Sequence, residues 1–189
     1  MVVVDTEEEF DWSAPFDRGA TDVRAMAHQH RAQEICARFG VKPTYVVDYP
    51  VVSQEAGYQP IAGWIEDGSA TLGAHLHPWV SPPHDESVDG YHSFPGNLPE
   101  ELEAEKLARL CDAIEAASGQ RPTVYKAGRY GFGTRTAAIL ERQGFEVDLS
   151  ANPPFDYTAE GGPDYSDLGP DPFWFGVDRR LQVMPGTGA

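Results

Sequence analysis

The stretch SATLGAHLHPW, residues 69–79, ends a strand-like apolar run with two histidines and then a proline. Successive side chains of an extended strand point to opposite faces, so His75 and His77 project from the same face. Two imidazoles on one face at the end of a strand are typical of a metal site. Two solvated loop histidines are the alternative that this stretch alone leaves open.

Apolar runs that alternate with helical patterns surround this stretch on both sides. Strands are predicted at residues 2–4, 42–50, 69–77, 122–128, 145–150 and 181–185, and helices at residues 22–39, 59–68, 97–119 and 134–144. Strands that alternate with helices of this length predict a parallel α/β sheet. Right-handed crossovers would either close this sheet into a barrel or wind helices on both of its faces.

Apolar side chains predict which faces are buried. The wholly apolar run at residues 2–4 is typical of a strand buried on both faces of a parallel sheet. Two helices each carry an apolar stripe, formed by Ala32, Ile35, Cys36 and Phe39 in the first and by Leu107, Leu110, Cys111 and Ile114 in the second. Glycines 40 and 119 are predicted to end these helices.

Composition limits the class of protein. The chain has 189 residues, which suits one domain with a substantial core. Its 14 basic and 30 acidic residues give a formal charge of −16, which disfavours nucleic acid as a partner. Cys36 and Cys111 form no C-x-x-C unit and are predicted to be buried free thiols, with a single disulfide as the alternative.

Targeting signals and the chain's end predict where and how the protein occurs. No apolar run of about 18 residues is present, so no membrane span is expected. The chain carries no signal peptide pattern, from which we expect a cytoplasmic location. Residues 1–189 are predicted to form a single domain. The last predicted strand runs into the final PGTGA, and no helix follows it. We therefore expect this domain to be incomplete.

Polar side chains follow five successive predicted strands. They are Asp5 and Glu7, then Asp48, then His75 and His77, then Arg129, and finally Asp148 and Ser150. The carboxyl ends of parallel strands share one edge of the sheet, where α/β proteins place their chemistry. Two imidazoles and a carboxylate form a three-ligand site for Zn²⁺ or a similar divalent ion.

The other acidic residues near these strand ends have simpler explanations. Glu8 and Glu9 are expected to be ordinary solvated charges. Asp48 is expected either to cap the end of its strand or to belong to the site, and the sequence favours neither.

Three segments resemble the polysaccharide deacetylases of the NodB-homology type, carbohydrate esterase family 4, and most closely their WalW-like branch. They are VVVDTEEEFDW at 2–12, LGAHLHPWVSPP at 72–83 and VYKAGRYGFG at 124–133. The likeness runs from residue 2 to about residue 185 and implies an incomplete or distorted (β/α) barrel. In that family the first motif supplies a catalytic base and a metal-binding acid. By resemblance, Asp5 is the base and Glu7 the ligand, with Glu8 as the alternative ligand.

The family's second motif has two histidine ligands four residues apart, and this sequence departs from it. His75 matches the first ligand, but Trp79 stands four residues later. His77 is the nearest substitute and fits the H-x-H-P-W form of the WalW-like branch. His84 and His92 are the alternative ligands.

The remaining motifs of the family are matched in part. Arg129 matches the arginine that orients the base, which predicts an ion pair, direct or through one water, between Arg129 and Asp5. The fourth motif supplies an aspartate, for which Asp148 is our choice and Asp156 the alternative. The fifth, a Leu-x-His whose imidazole protonates the leaving amine, is absent and is expected beyond the last strand.

The resemblance implies a metal-dependent hydrolase that removes N-acetyl groups from a polysaccharide or oligosaccharide, with a divalent metal ion, Zn²⁺, as cofactor. Aromatic side chains near the site are expected to stack on sugar rings, with Trp79 and Tyr130 foremost and Phe132, Phe173 and Trp174 as further candidates. The alternative function is a catalytically inactive glycan-binding or scaffold protein on the same fold. The sequence leaves the oligomeric state open.

The irregular stretch 78–97 follows the strand that holds the histidines and contains four prolines. We expect it to form one wall of the substrate groove, with Trp79 near the metal, an ordered base and an exposed tip at residues 85–90. The alternative is a disordered surface excursion.

Overall fold

A computed structural model describes residues 1–187, which form one seven-stranded sheet with helices packed against it. The strands are β1 (Val2–Thr6), β2 (Pro43–Val47), β3 (Thr71–Leu76), β4 (Val124–Ala127), β5 (Val147–Asp148), β6 (Phe173–Phe175) and β7 (Leu181–Val183). Their order in the sheet is β1-β2-β3-β4-β5-β7-β6, and every neighbouring pair is parallel except β7 and β6. The parallel α/β class is confirmed. Over residues 1–187 the sheet stays open between β1 and β6.

Five α-helices connect the strands: α1 (His30–Arg38), α2 (Tyr49–Ser53), α3 (Glu55–Glu66), α4 (Glu100–Ser118) and α5 (Thr136–Gln143). Short 3₁₀ turns lie at Arg24–His28, Pro78–Val80, Pro95–Asn97, Gly128–Tyr130 and Thr158–Glu160. In residues 1–187, no helix combines the length and the apolar character needed to cross a bilayer.

The register of the parallel strands assigns side chains to the two faces of the sheet. Val47, Ala74, Tyr125 and Asp148 are neighbours in one row, and the first three belong to the core under the helices. We call this the helix-covered face. His75 and Lys126 each follow a residue of that row, and they pair with each other. Their side chains therefore lie on the opposite face of the sheet, which we call the cleft face.

The predicted apolar stripe of α4 is confirmed. Leu107, Leu110, Cys111 and Ile114 are all buried, and Gly119 ends the helix in a left-handed conformation with φ of 73°. Both cysteines are buried and free, as predicted.

Two predictions near the N-terminus were wrong. Residues 2–4 are not buried on both faces, because β1 is the edge strand of the sheet and Val2 is exposed. The α-helix predicted at 22–39 begins only at His30, and the face that it buries differs from the predicted apolar stripe. Gln33 is buried and accepts a hydrogen bond from the hydroxyl of Tyr45 at 3.0 Å, while Ile35 and Phe39 are 56% and 78% exposed.

Candidate metal centre

A cleft of about 220 Å³ opens at the carboxyl ends of β1, β3 and β4. It is lined by Asp5, Glu7, Trp12, His75, His77, Lys126, Ala127, Arg129 and Tyr130. The structure therefore brings together the predicted base, the three predicted metal ligands and the predicted sugar-stacking residue Tyr130. Nothing in the sequence had singled out Trp12 or Lys126.

The three predicted ligands face one another. Oε2 of Glu7 lies 3.1 Å from Nε2 of His75 and 3.4 Å from Nε2 of His77. These distances are close to the separation of about 3.3 Å that two ligand atoms have around a tetrahedral zinc ion with bonds of about 2.0–2.1 Å. The three atoms thus converge on one point, and the set fits a divalent ion.

The second nitrogen of each imidazole is already hydrogen-bonded. Nδ1 of His75 donates to the backbone carbonyl of Lys126 at 2.9 Å, and Nδ1 of His77 donates to Oε2 of Glu8 at 2.8 Å. A proton on Nδ1 leaves the lone pair on Nε2, so both rings present a metal-binding nitrogen to Glu7.

A glycine makes room for one of these rings. A Cβ at Gly128 would lie 2.5 Å from Cδ2 of His77 and 2.5 Å from the carbonyl oxygen of Leu76. Any side chain at position 128 would push the imidazole from its place. The glycine after β4 is therefore part of the structure that positions the ligand.

The carboxyl of Glu7 is ionised at neutral pH. Burial by itself would raise its pKa, but without a metal ion the hydrogen bond donated by Nε2–H of His75 and the positive charges of His77, His75 and Lys126 bring the pKa to about 2. An ionised carboxylate beside two Nε2 atoms is a suitable donor set for Zn²⁺.

Glu8 is not the solvated charge that we expected. It is only 3% exposed, and its side chain holds His77. Burial raises the pKa of Glu8 to about 7, and the negative charge of Glu7 contributes to this shift. The backbone N–H of Glu8 donates to Oδ2 of Asp48 at 2.7 Å.

Asp48 combines the two alternatives that the sequence left open. Its Oδ1 accepts a hydrogen bond from the N–H of Val51 at 2.9 Å and so caps α2, while its Oδ2 holds the backbone of Glu8 beside the site. Glu8, Asp48 and His77 also lie close enough to form a second three-ligand group. That group is fully buried, and most of its polar atoms are engaged in these hydrogen bonds, although Oε1 of Glu8 has no partner among residues 1–187, whereas Glu7 is partly exposed to the cleft.

Asp5 and Arg129 both line the cleft but do not form the direct ion pair that we predicted. Oδ2 of Asp5 pairs with Nζ of Lys126, which lies beside His75 on the cleft face. Arg129 follows β4 in a left-handed conformation with φ of 53°, and its guanidinium points to other loops. It pairs with Glu160, donates to Oγ of Ser93 at 2.7 Å and lies over a phenylalanine ring of the same loop.

Neither candidate for the fourth motif lies in the cleft. Asp148 pairs with Tyr125 in the sheet, which puts its side chain on the helix-covered face, opposite to His75. There it accepts a hydrogen bond from Ser150 at 2.6 Å, and burial raises its pKa to about 7. Asp156 is exposed and caps a turn through the N–H of Thr158.

The predicted stacking residues differ in exposure. Trp79 is buried, and its ring stacks on the imidazole of His77 with centroids 4.4 Å apart. Trp12 packs edge-on against Trp79 and is 57% exposed at the cleft. Tyr130 lines the cleft beside Lys126, whose Nζ lies 4.7 Å from the ring centroid. Trp12 is thus the accessible aromatic surface, because Tyr130 is half-buried and Tyr157 stacks on its ring with centroids 5.6 Å apart.

The loop at 78–97 is anchored at its base and largely exposed at its tip, but none of its residues lines the cleft, so the wall of the substrate groove that we predicted from this loop is not found. Lys106 of α4 is fully buried and donates from Nζ to the carbonyls of Pro78, Ser81 and Pro83 at 3.0, 2.7 and 2.5 Å. The tip is exposed at residues 85, 87, 89 and 90. The alternative ligands His84 and His92 lie outside both three-ligand groups.

Comparison with solved structures establishes the fold. A candidate polysaccharide deacetylase from Mycobacterium smegmatis matches 84% of this chain with 20% identity and a TM-score of 0.58. A second match is a CE4 family pseudoenzyme from Bacillus anthracis, in the form of a mutant with restored enzymatic activity. It matches 78% of this chain with 16% identity and a TM-score of 0.53. The chain spans 45% and 43% of these two proteins.

A protein with another activity has a related architecture. The 4-alpha-glucanotransferase from Thermococcus litoralis matches 98% of this chain with 13% identity and a TM-score of 0.61, and the match covers 27% of that protein. No protein-family model matches the chain, and no curated protein matches its sequence. At these identities the likeness is one of fold, and function has to be argued from the cleft itself.

Proposed function

We propose that this chain is a metal-dependent hydrolase that removes N-acetyl groups from a polysaccharide or a related carbohydrate amide. The observation that carries the proposal is the convergence of one carboxylate oxygen and two Nε2 atoms beside a second carboxylate, Asp5. The name of the Mycobacterium smegmatis neighbour, a candidate polysaccharide deacetylase, and the WalW-like form of the H-x-H-P-W segment support the same reaction and substrate class. Residues 1–189 act in it as part of one catalytic domain.

Glu7, His75 and His77 hold the ion. When bound there, a divalent ion such as Zn²⁺ supplies Lewis acidity, which polarises an amide carbonyl and lowers the pKa of water. Asp5 acts as the general base and takes the proton of the attacking water. The Lys126 ammonium, paired with Oδ2 of Asp5, keeps this carboxylate in the cleft and fixes its orientation.

Trp12 offers the accessible ring face for the sugar, and a pyranose ring packs on such a face with its apolar C–H groups. Tyr130 lines the same cleft, but its ring already contacts Lys126 and Tyr157. Trp79 contributes indirectly, because its ring lies under His77 and supports Trp12.

Metal content and acetate release test the proposal together. Purified protein is stripped with a chelator, reloaded with Zn²⁺ and assayed for acetate released from N-acetylglucosamine oligomers. We expect one ion per chain and metal-dependent release. The double variant His75→Ala/His77→Ala is expected to lose both, whereas His84→Ala/His92→Ala, in the loop outside the site, is expected to keep both.

The outcomes separate the proposal from its alternative. A wild-type protein that binds no divalent ion would refute the metal centre. A protein that binds the ion and the oligosaccharide but releases no acetate would instead be the glycan-binding protein on a deacetylase fold.

A further inference from the structure

We infer that Glu8 is a positioning residue for the metal centre, which orients His77 and strengthens its Nε2 as a ligand. The inference rests on the proposed metal site and deepens it. It gives Glu8, the alternative ligand of the sequence analysis, a role that acts through His77.

The two histidines are held in different ways. Nδ1 of His75 bonds to the backbone carbonyl of Lys126, so the sheet itself fixes that ring. Nδ1 of His77 bonds to the Glu8 side chain at 2.8 Å. Glu8 is therefore the side-chain hydrogen-bond partner through which the orientation of a ligand can be changed without removing the ligand.

Glu8 is itself fixed in place. Its backbone N–H is bound by Oδ2 of Asp48, and the other oxygen of Asp48 is bound to the N–H of Val51 at the start of α2. The helix terminus, Asp48, Glu8 and His77 thus form a continuous chain of contacts that ends at Nε2. Trp79 packs on one face of the imidazole and position 128 lies against its edge, so the ring is restrained on several sides.

A carboxylate that accepts the Nδ1 proton acts on the metal in two ways. It selects the tautomer whose Nε2 lone pair is free, and it increases the electron density that Nε2 donates. Loss of such an outer partner typically weakens metal binding about 10- to 100-fold. The neighbouring Glu7 stays the direct ligand.

Glu103, a buried glutamate outside the metal centre, provides a matched control for substitutions of Glu8. Glu103 is as buried as Glu8 and is bonded to Thr136, far along the chain from the metal ligands. Glu8→Gln and Glu103→Gln therefore remove one buried carboxyl each, and only the first changes the partner of His77. Glu8→Ala removes the acceptor as well as its charge.

The experiment measures metal affinity by competition with a chromophoric chelator, on proteins whose metal-free fold is checked by circular dichroism. We expect Zn²⁺ affinity to fall about tenfold or more in Glu8→Gln, to fall further in Glu8→Ala and to stay unchanged in Glu103→Gln. The Co²⁺ absorption spectrum of Glu8→Gln is expected to shift, because the field of one ligand changes.

Two results would overturn the inference while leaving the metal site intact. One is wild-type affinity and an unchanged Co²⁺ spectrum in both Glu8 variants. The other is an ion that is lost in Glu8→Ala but retained in His75→Ala, which would make Glu8 a direct ligand together with Asp48. A wild-type protein without metal would instead refute the proposed function on which the inference rests.

Discussion

Glu103 is a buried carboxyl outside the metal centre, and it makes the stability of the protein depend on pH. Its Oε1 accepts a hydrogen bond from Oγ1 of Thr136 at 2.6 Å, while Oε2 has no partner among residues 1–187. Burial raises its pKa from the ordinary 4.5 to about 7. The folded protein therefore keeps a proton on Glu103 at pH values where the unfolded chain has released it.

The sign and size of the effect follow from this difference. Between pH 4.5 and 7 the folded state binds one proton more than the unfolded state, so the free energy of unfolding falls as the pH rises through this window. A shift of about 2.5 pKa units corresponds to about 3 kcal/mol, of which about 2–3 kcal/mol is lost between pH 5 and pH 8. Glu103→Gln keeps an acceptor for Thr136 without a charge, so this loss is absent in the variant.

Urea unfolding of the metal-free protein at several pH values tests the reasoning. From pH 5 to pH 8, the stability of Glu103→Gln relative to wild type is expected to rise by about 2–3 kcal/mol, or about 5–10 °C in Tm. Burial also raises the pKa values of Glu8 and Asp148, but these groups are the same in both proteins and cancel in the difference. Glu101→Gln, an exposed control on the same helix, is expected to follow wild type. Parallel pH profiles for Glu103→Gln and wild type would refute the reasoning.

Three further variants probe the cleft and its support. Lys126→Met is expected to lower kcat about 10- to 100-fold, because Asp5 loses its partner. Zn²⁺ affinity in a chelator competition is not expected to fall, since only the backbone of residue 126 holds a ligand and the variant removes a positive charge near the ion. Trp12→Ala is expected to raise KM for N-acetylated oligosaccharides about three- to tenfold with little change in kcat, as measured by acetate release. Lys106→Met leaves three buried carbonyls and a carboxylate without their cation and is expected to cost about 3–5 kcal/mol in urea unfolding, whereas exposed Lys42→Met is expected to cost almost nothing.

The alternation of strands and helices was sufficient to predict the fold class and the edge of the sheet that carries the cleft. The carboxyl ends of parallel strands share one edge of the sheet, which is why His75 and Asp5, the predicted base, were placed together correctly. Sequence alternation does not reveal which strand is the edge. The exposure of β1 follows from the order of strands in the sheet, and this order depends on contacts between distant segments.

Glu8 illustrates a different limit. It belongs to a run of three glutamates beyond the end of β1, where strand alternation no longer applies. Its burial depends on Asp48, forty residues away, and on His77, sixty-nine residues away. No local pattern separates this buried carboxyl from a solvated one.

Lys126 and Arg129 show which positions a sequence can assign to a face. Lys126 lies inside β4 and pairs with His75 in the parallel register, so its side chain had to emerge on the cleft face once the two strands were aligned. Arg129 lies after the end of β4, where the left-handed backbone turns its side chain toward the loops. Asp148 lies inside β5, where apolar Val147 and Leu149 on either side place it on the polar side of the strand, but in the structure this side faces the helices. The cation beside Asp5 was therefore open to prediction from strand phase, whereas the placement of Arg129 required the backbone conformation itself.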